Sequence, residues 1–150
     1  MRRSFLSAAV SISLALTCPA RAQTGPKVVP PEWIPALAPS ITSTLDRLKA
    51  ANTQTEMNLL SREVAEMTDA QLFVAYVRLY EKLPAKSRAA LVEEQQKWLK
   101  ARAKATAAGV ESEGGSLAPL EANNATVTFT EKRLKELRAR LKALQKETED

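Results

Sequence analysis

The chain has 150 residues, with 22 Lys and Arg against 17 Asp and Glu, no histidine and a single cysteine. The commonest general base and the usual zinc ligand sets are therefore excluded, and a thiol nucleophile goes with them if the leader holding Cys18 is removed. Few glycines and long Ala/Leu/Glu/Lys/Arg stretches describe a helical protein, and an aromatic content of 5% leaves it a largely aliphatic core.

Residues 1–22 read as an export signal. Arg2 and Arg3 supply the positive start, and Phe5 to Leu16 form an apolar run interrupted only by serines. That run is too short to cross a hydrocarbon core of about 30 Å. Ala20-Arg21-Ala22 is a small-x-small cleavage site. Cys18 follows Ala15 and Thr17 at the places where lipoprotein processing wants a leucine-like and a small residue, so lipidation is not expected. Cleavage after Ala22 leaves 128 residues with 19 basic and 17 acidic side chains, a net charge near +2 and no thiol. A periplasmic or secreted location follows, with no integral membrane span. So weak a field does not point to nucleic acid or anionic lipid.

Residues 23–39 contain Pro26, Pro30, Pro31, Pro35 and Pro39, a density that favours an extended tether over a helix. Within it, Trp33 and Ile34 either dock on the body or stand exposed. The helical domain is expected over 40–150. Ser40 is placed to cap a short helix, Ile41–Ala51, with Ile41, Leu45 and Leu48 on one stripe. Thr53 and Glu56 have capping-box spacing at the start of a longer helix. Met57, Leu60, Val64 and Met67 follow at helical spacing, then Leu72, Tyr76, Leu79 and Leu83. The stripe shifts around Thr68-Asp69-Ala70, where a bend or break is possible. Pro84 closes this element or opens the next as a first-turn proline.

The third segment runs from Pro84 to about Ala108, with Leu91, Gln95, Trp98, Arg102 and Ala105 on one face. Gln95 and Arg102 bracket Trp98 on an otherwise apolar surface, and buried arginines are nearly always paired. Their polar groups are therefore expected on backbone carbonyls or a carboxylate. Gly109 ends the helix and Gly114-Gly115-Ser116 lies in the loop, without a phosphate-cradling motif. Ser116 is placed to cap a last helix over Leu117–Glu147, with Pro119 in its first turns. Leu134, Leu137, Leu141 and Leu144 make a short coiled-coil-like seam. The first half of that helix is rich in Asn, Thr and Val, poor formers that stay helical only when packed. The sequon Asn124-Ala125-Thr126 is taken as chance.

An all-α bundle of three to four helices results. Its acidic residues sit mostly at solvent-facing helix positions or in i,i+4 pairs such as Glu93–Lys97 and Glu136–Arg140, and Glu131, Lys132, Glu136 and Arg140 together read as a solvated face. No catalytic residue, metal site or cofactor is expected, and binding is the better functional class.

The run Gln54-Thr55-Glu56-Met57-Asn58 resembles the Gln-x-Glu-Met-Asn opening of the LprI-type lysozyme-inhibitor domain. Asp69, Leu72, Tyr76 and Leu79 are similar to its second element, and Leu91, Gln95, Trp98 and Arg102 to its third. Gly114-Gly115-Ser116 with Pro119 resembles its Gly-Gly-Ser-x-x-Pro loop, and Thr130 with Arg133 its last helix. The resemblance spans about Thr53–Leu137. It implies an all-helical exported domain, some members of which bind and inhibit lysozyme. The family pattern has cysteines at or near Leu60, Thr106 and Ala125, an Asn at Phe73 and an Asp at Ala103, so this chain departs from it at those places. If lysozyme or another envelope protein is the partner, the mature charge argues against long-range steering and leaves shape complementarity. The acidic loop Glu111, Glu113, Gly114, Gly115 and Ser116 is the candidate contact, set against the plainer reading of an interhelical turn. The competing expectation is an assembly module that pairs through the Leu134–Leu144 seam.

Overall fold

The computed structural model describes residues 37–112 and 114–147. The export signal, Cys18 and the Pro-rich stretch as far as residue 36 lie outside them, as does Glu113. Among the described residues four helices make the fold: α1 Leu37–Ala50, α2 Gln54–Lys82, α3 Ala85–Ala108 and α4 Ala118–Lys146.

Helix α1 begins four residues before the expected Ile41. Pro39 falls in its first turn, where a missing N–H leaves no bond unmade, so the last residues of the supposed tether are helical and Ser40 is inside rather than capping. The buried positions are Thr44 and Ala51, with Ile41 and Leu48 half-buried; Leu45 turns outward instead of joining the stripe. Helix α2 starts as the capping-box spacing requires, with the Thr53 hydroxyl accepting the Glu56 N–H at 3.2 Å. It then runs 29 residues without the break considered at Thr68-Asp69-Ala70. Leu60, Val64, Thr68, Leu72, Ala75 and Leu79 form its buried face. Thr68, rather than Met67, carries the stripe across the shift, and its hydroxyl donates to the Val64 carbonyl at 2.8 Å.

A two-residue corner joins α2 to α3. Leu83 caps one helix and Pro84 the other, so the proline both closes and opens. Arg88 reaches back to donate to the carbonyls of Leu83 (2.8 Å) and Glu81 (3.1 Å), two acceptors at the end of α2. Its guanidinium lies 5.2 Å from the centre of the Tyr80 ring. At the other end of α3, Gly109 is the C-cap. Helix α4 begins after Leu117, which has no side-chain cap bond; Ser116 sits one residue too early to serve.

Helix α4 packs along α2 and against α3, while α1 packs on α2. Leu72, Ala75, Leu79, Leu91, Leu134 and Leu137 make the core, with Tyr76, Leu83, Trp98, Leu141 and Leu144 packed partly buried around it. Each fully buried leucine contributes about 1.5–3 kcal/mol. Two leucines of the seam, Leu134 and Leu137, are thus spent inside the molecule, and Leu141 and Leu144 are partly buried against the same core. The weak half of α4 is held by cross-helix bonds: Asn123 donates to the Ser61 hydroxyl at 2.9 Å, and the Thr106 and Thr126 hydroxyls are 2.9 Å apart.

Candidate functional site

The loop between α3 and α4 is fastened at both ends. The Glu121 carboxylate, in the first turn of α4, accepts the backbone N–H of Glu111 (3.0 Å), that of Ser112 (3.0 Å) and the Ser112 hydroxyl (2.7 Å), all on one oxygen. These bonds, led by the Ser112 N–H, favour the ionised form and hold the Glu121 pKa below the usual glutamate value. At the far end, the Asn58 amide donates to the Ser116 carbonyl at 2.9 Å, and Asn58 is itself oriented by Gln54 at 2.9 Å. The Met-Asn run of α2 and the Gly-Gly-Ser loop are therefore one constellation. Between the fastenings, Gly114 has φ of 70°, which a residue without Cβ adopts freely. Glu111, Gly114, Gly115, Ser116 and Leu117 are exposed.

A second cluster ties three helices together. Arg102 on α3 donates to the Asp69 carboxylate on α2, and Thr130 on α4 lies 3.4 Å from both. The same guanidinium covers the Trp98 ring at 4.9 Å, and that indole stacks on Phe129 of α4 at 5.8 Å. Arg102 thus has the carboxylate partner expected of it. Gln95 differs: its carbonyl oxygen accepts from Arg133 at 3.3 Å, so its partner is a guanidinium. Arg133 is buried, pairs with Glu136 at 3.1 Å and has Glu94 at 3.7 Å. Arg140 also holds Glu94, at 2.8 Å, and this bond, reinforced by the charges of both arginines, lowers the Glu94 pKa despite some desolvation. The expected Glu136–Arg140 pair is therefore replaced: Glu136 takes Arg133 and Arg140 crosses to α3. No ion pair joins Glu93 to Lys97 among the described residues.

Between α2 and α3 lies an open groove of about 580 Å³, walled by Phe73, Tyr76, Val92, Trp98 and Leu99 with Asp69 at one end. Phe73 is 63% exposed and Leu99 44%. Burial raises the Tyr76 pKa, with a further push from Tyr80 and a smaller opposing pull from Arg133.

Of the residues expected to matter, Asp69, Tyr76, Gln95, Trp98, Arg102, Thr130 and Arg133 meet at the junction of α2, α3 and α4. Asn58 joins the loop instead. Glu56 is exposed at the start of α2 and Met57 half-buried beside it, apart from both clusters. Glu121 was not foreseen. Its position in the first turn of a helix, where an anion is favoured, is the signal that marks it.

The fold and these clusters define a small all-helical domain. Its polar residues either brace helices or shape one loop, and no group of His, Cys, Asp and Glu fit to hold a metal occurs among the described residues. The model of the lysozyme inhibitor LprI family matches residues 46–137, and the chain belongs to that family. The match runs from the middle of α1 to the core of α4 and includes the loop and the junction. No curated protein and no solved structure matches the chain. The family is one of inhibitors, and no helix of the described residues is long and apolar enough to cross a membrane.

Proposed function

We propose that the protein is exported to the periplasm or beyond and there binds a lysozyme-type enzyme without catalysis, using the α3–α4 loop as its contact. Family membership supports the partner class. One observation supports the place: three donors converge on a single Glu121 oxygen while Asn58 holds the other end of the loop. A segment fixed in this way loses little conformational entropy on binding, which is where an uncharged shape fit gains affinity. Leu117, 42% exposed beside the glycines, adds an apolar contact to the acidic Glu111.

The assay is clearance of bacterial cell-wall suspensions by lysozymes of several types, with and without the mature protein. Inhibition of at least one type is expected, and Glu111→Lys with Glu113→Lys should weaken it. Unchanged inhibition by that double variant would remove the loop from the proposal. The assembly reading is the less favoured one, since Leu134 and Leu137 lie in the core and Leu141 and Leu144 pack partly buried against it; a monomer at all concentrations in size exclusion is expected.

A further inference from the structure

The α2/α3 groove is not used by the loop, and its chemistry is specific. Its walls are aromatic and aliphatic, yet it also presents hydrogen-bond donors. The Gln95 oxygen is engaged by Arg133, which leaves its amide nitrogen free, and neither that nitrogen nor the Tyr76 hydroxyl has a partner among the described residues. Aromatic walls with spare donors suit an extended proline-rich strand, whose rings pack on aromatic faces and whose carbonyls have no partners of their own. The volume falls in the range of about 300–1,000 Å³ typical of pockets that enclose a small ligand, enough for an indole and its neighbours.

This chain carries a proline-rich stretch of that composition. Val28-Val29-Pro30-Pro31-Glu32-Trp33-Ile34-Pro35 ends one residue before α1. Helices α1 and α2 are joined by a short turn and therefore run antiparallel, with Arg47 facing Glu63 at 3.6 Å. Counted outward from the turn between Ala50 and Gln54 at equal rise, Leu37 stands level with about Met67, next to the Asp69 end of the groove. Crossing one helix takes about 10 Å, and four extended residues reach about 13 Å, which brings Trp33 to the groove. Phe73 itself is a place where this chain has an aromatic residue and the family pattern has Asn.

We infer that residues Val28–Pro35 dock as an extended strap in the α2/α3 groove of their own molecule, with Trp33 and Ile34 against Phe73, Trp98 and Leu99. The lysozyme assay does not bear on this inference, and the inference does not require a lysozyme partner.

Trp33 and Trp98 are the only tryptophans, so in the mature chain carrying Trp98→Phe the emission reports Trp33 alone. A docked state favoured about tenfold lowers iodide quenching of Trp33 about tenfold relative to the free Val28–Pro35 peptide. Phe73→Lys, at an exposed position that folding does not need, should restore the quenching. In a second measurement that keeps both indoles, Ile34→Cys with Leu99→Cys in the otherwise thiol-free mature chain should form a disulfide within one molecule at high dilution. Quenching equal to that of the peptide, or failure of the pair to crosslink, overturns the inference. So does a crosslink that joins two molecules in proportion to concentration, which would seat the strap in a second copy. Should Trp98→Phe lose its helical circular dichroism, the cysteine pair decides alone.

Discussion

A methyl group added at Gly109 would stand 2.5 Å from the Ala125 Cβ on α4, whereas carbons touch at about 3.5–4.0 Å. Neither atom belongs to a long side chain that can swing aside, so α3 and α4 must part by roughly 1 Å at this point. The backbone has no objection of its own, since Gly109 has φ of −85° and ψ of 0°, an ordinary right-handed conformation. Alanine would even gain about 0.4–1 kcal/mol from a less flexible unfolded chain. Overpacking costs about 1–3 kcal/mol, so Gly109→Ala should destabilise by about 1–2 kcal/mol net. Ala125→Gly, in a helix interior, should cost about 1 kcal/mol by itself. Together they remove the clash and keep the gain from alanine at 109, so the double variant should be about 0.4–1 kcal/mol more stable than Ala125→Gly alone, a coupling of about 2 kcal/mol. Urea unfolding followed by far-ultraviolet circular dichroism gives all four stabilities. Additive losses, or a Gly109→Ala protein as stable as the parent, would refute the steric argument. Because Gly109 leads directly into the loop, the single variant should also displace the Glu111 and Ser112 amide resonances.

Glu94 and Glu121 have folded pKa values below the ordinary glutamate value of about 4.3. The stability they add is therefore complete above that value and is lost as pH falls through the lowered folded values; an acid melt series should show this, and the Glu111 and Ser112 amide shifts should titrate with Glu121. Tyr76 has the opposite sign, so its contribution is present below about pH 10 and lost as pH rises through its raised value. Arg102→Met removes a charge-assisted bond to Asp69 and the cover on Trp98; about 2 kcal/mol is expected in urea, moderated because Asp69 is partly solvated. With hydroxyl oxygens 2.9 Å apart and 20 positions between them in sequence, Thr106→Cys with Thr126→Cys should crosslink on oxidation and add about 3 kcal/mol to the melting stability.

Features decided within one helix were legible in the chain. The Thr53 cap, the ends at Lys82 and Ala108, and the buried leucines of α3 and α4 follow from local spacing. Arg102 on Asp69 was also foreseeable in kind, because a guanidinium on an apolar face needs a carboxylate wherever one is found. What failed was partner choice between helices. Glu136 and Arg140 have ideal i,i+4 spacing, yet α3 offers Arg140 a carboxylate at Glu94 and leaves Glu136 to the buried Arg133. Leu45 and Thr44 exchange places for the same reason: the angle at which α1 meets α2 is set by packing and not by hydrophobicity along α1. Ser116 is a good cap by type but falls one residue before the N-cap Leu117, and its carbonyl is taken by Asn58 of another helix. Glu121 is the clearest case, since its role depends on donors that come from a loop with no periodicity to read.

The absence of crosslinks bears on binding less than on survival. The resemblance implies cysteines at or near Leu60, Thr106 and Ala125. Here Leu60 is fully buried, Thr106 bonds Thr126, and Ala125 closes on Gly109. None of these contacts holds the exposed part of the loop, which depends on Asn58 and Glu121. A disulfide is commonly held to act largely by restricting the unfolded chain, so its loss lowers the free energy of unfolding by about 2–5 kcal/mol without redrawing the native loop. That is a large share of a typical 5–15 kcal/mol, and it would appear as a lower melting temperature. Under the proposed function, affinity for the partner, measured where the protein is folded, depends instead on the Glu121 carboxylate and the Asn58 amide that fasten the loop. Restoring a crosslink at Thr106 and Thr126 should therefore move the melt and leave that affinity where it was.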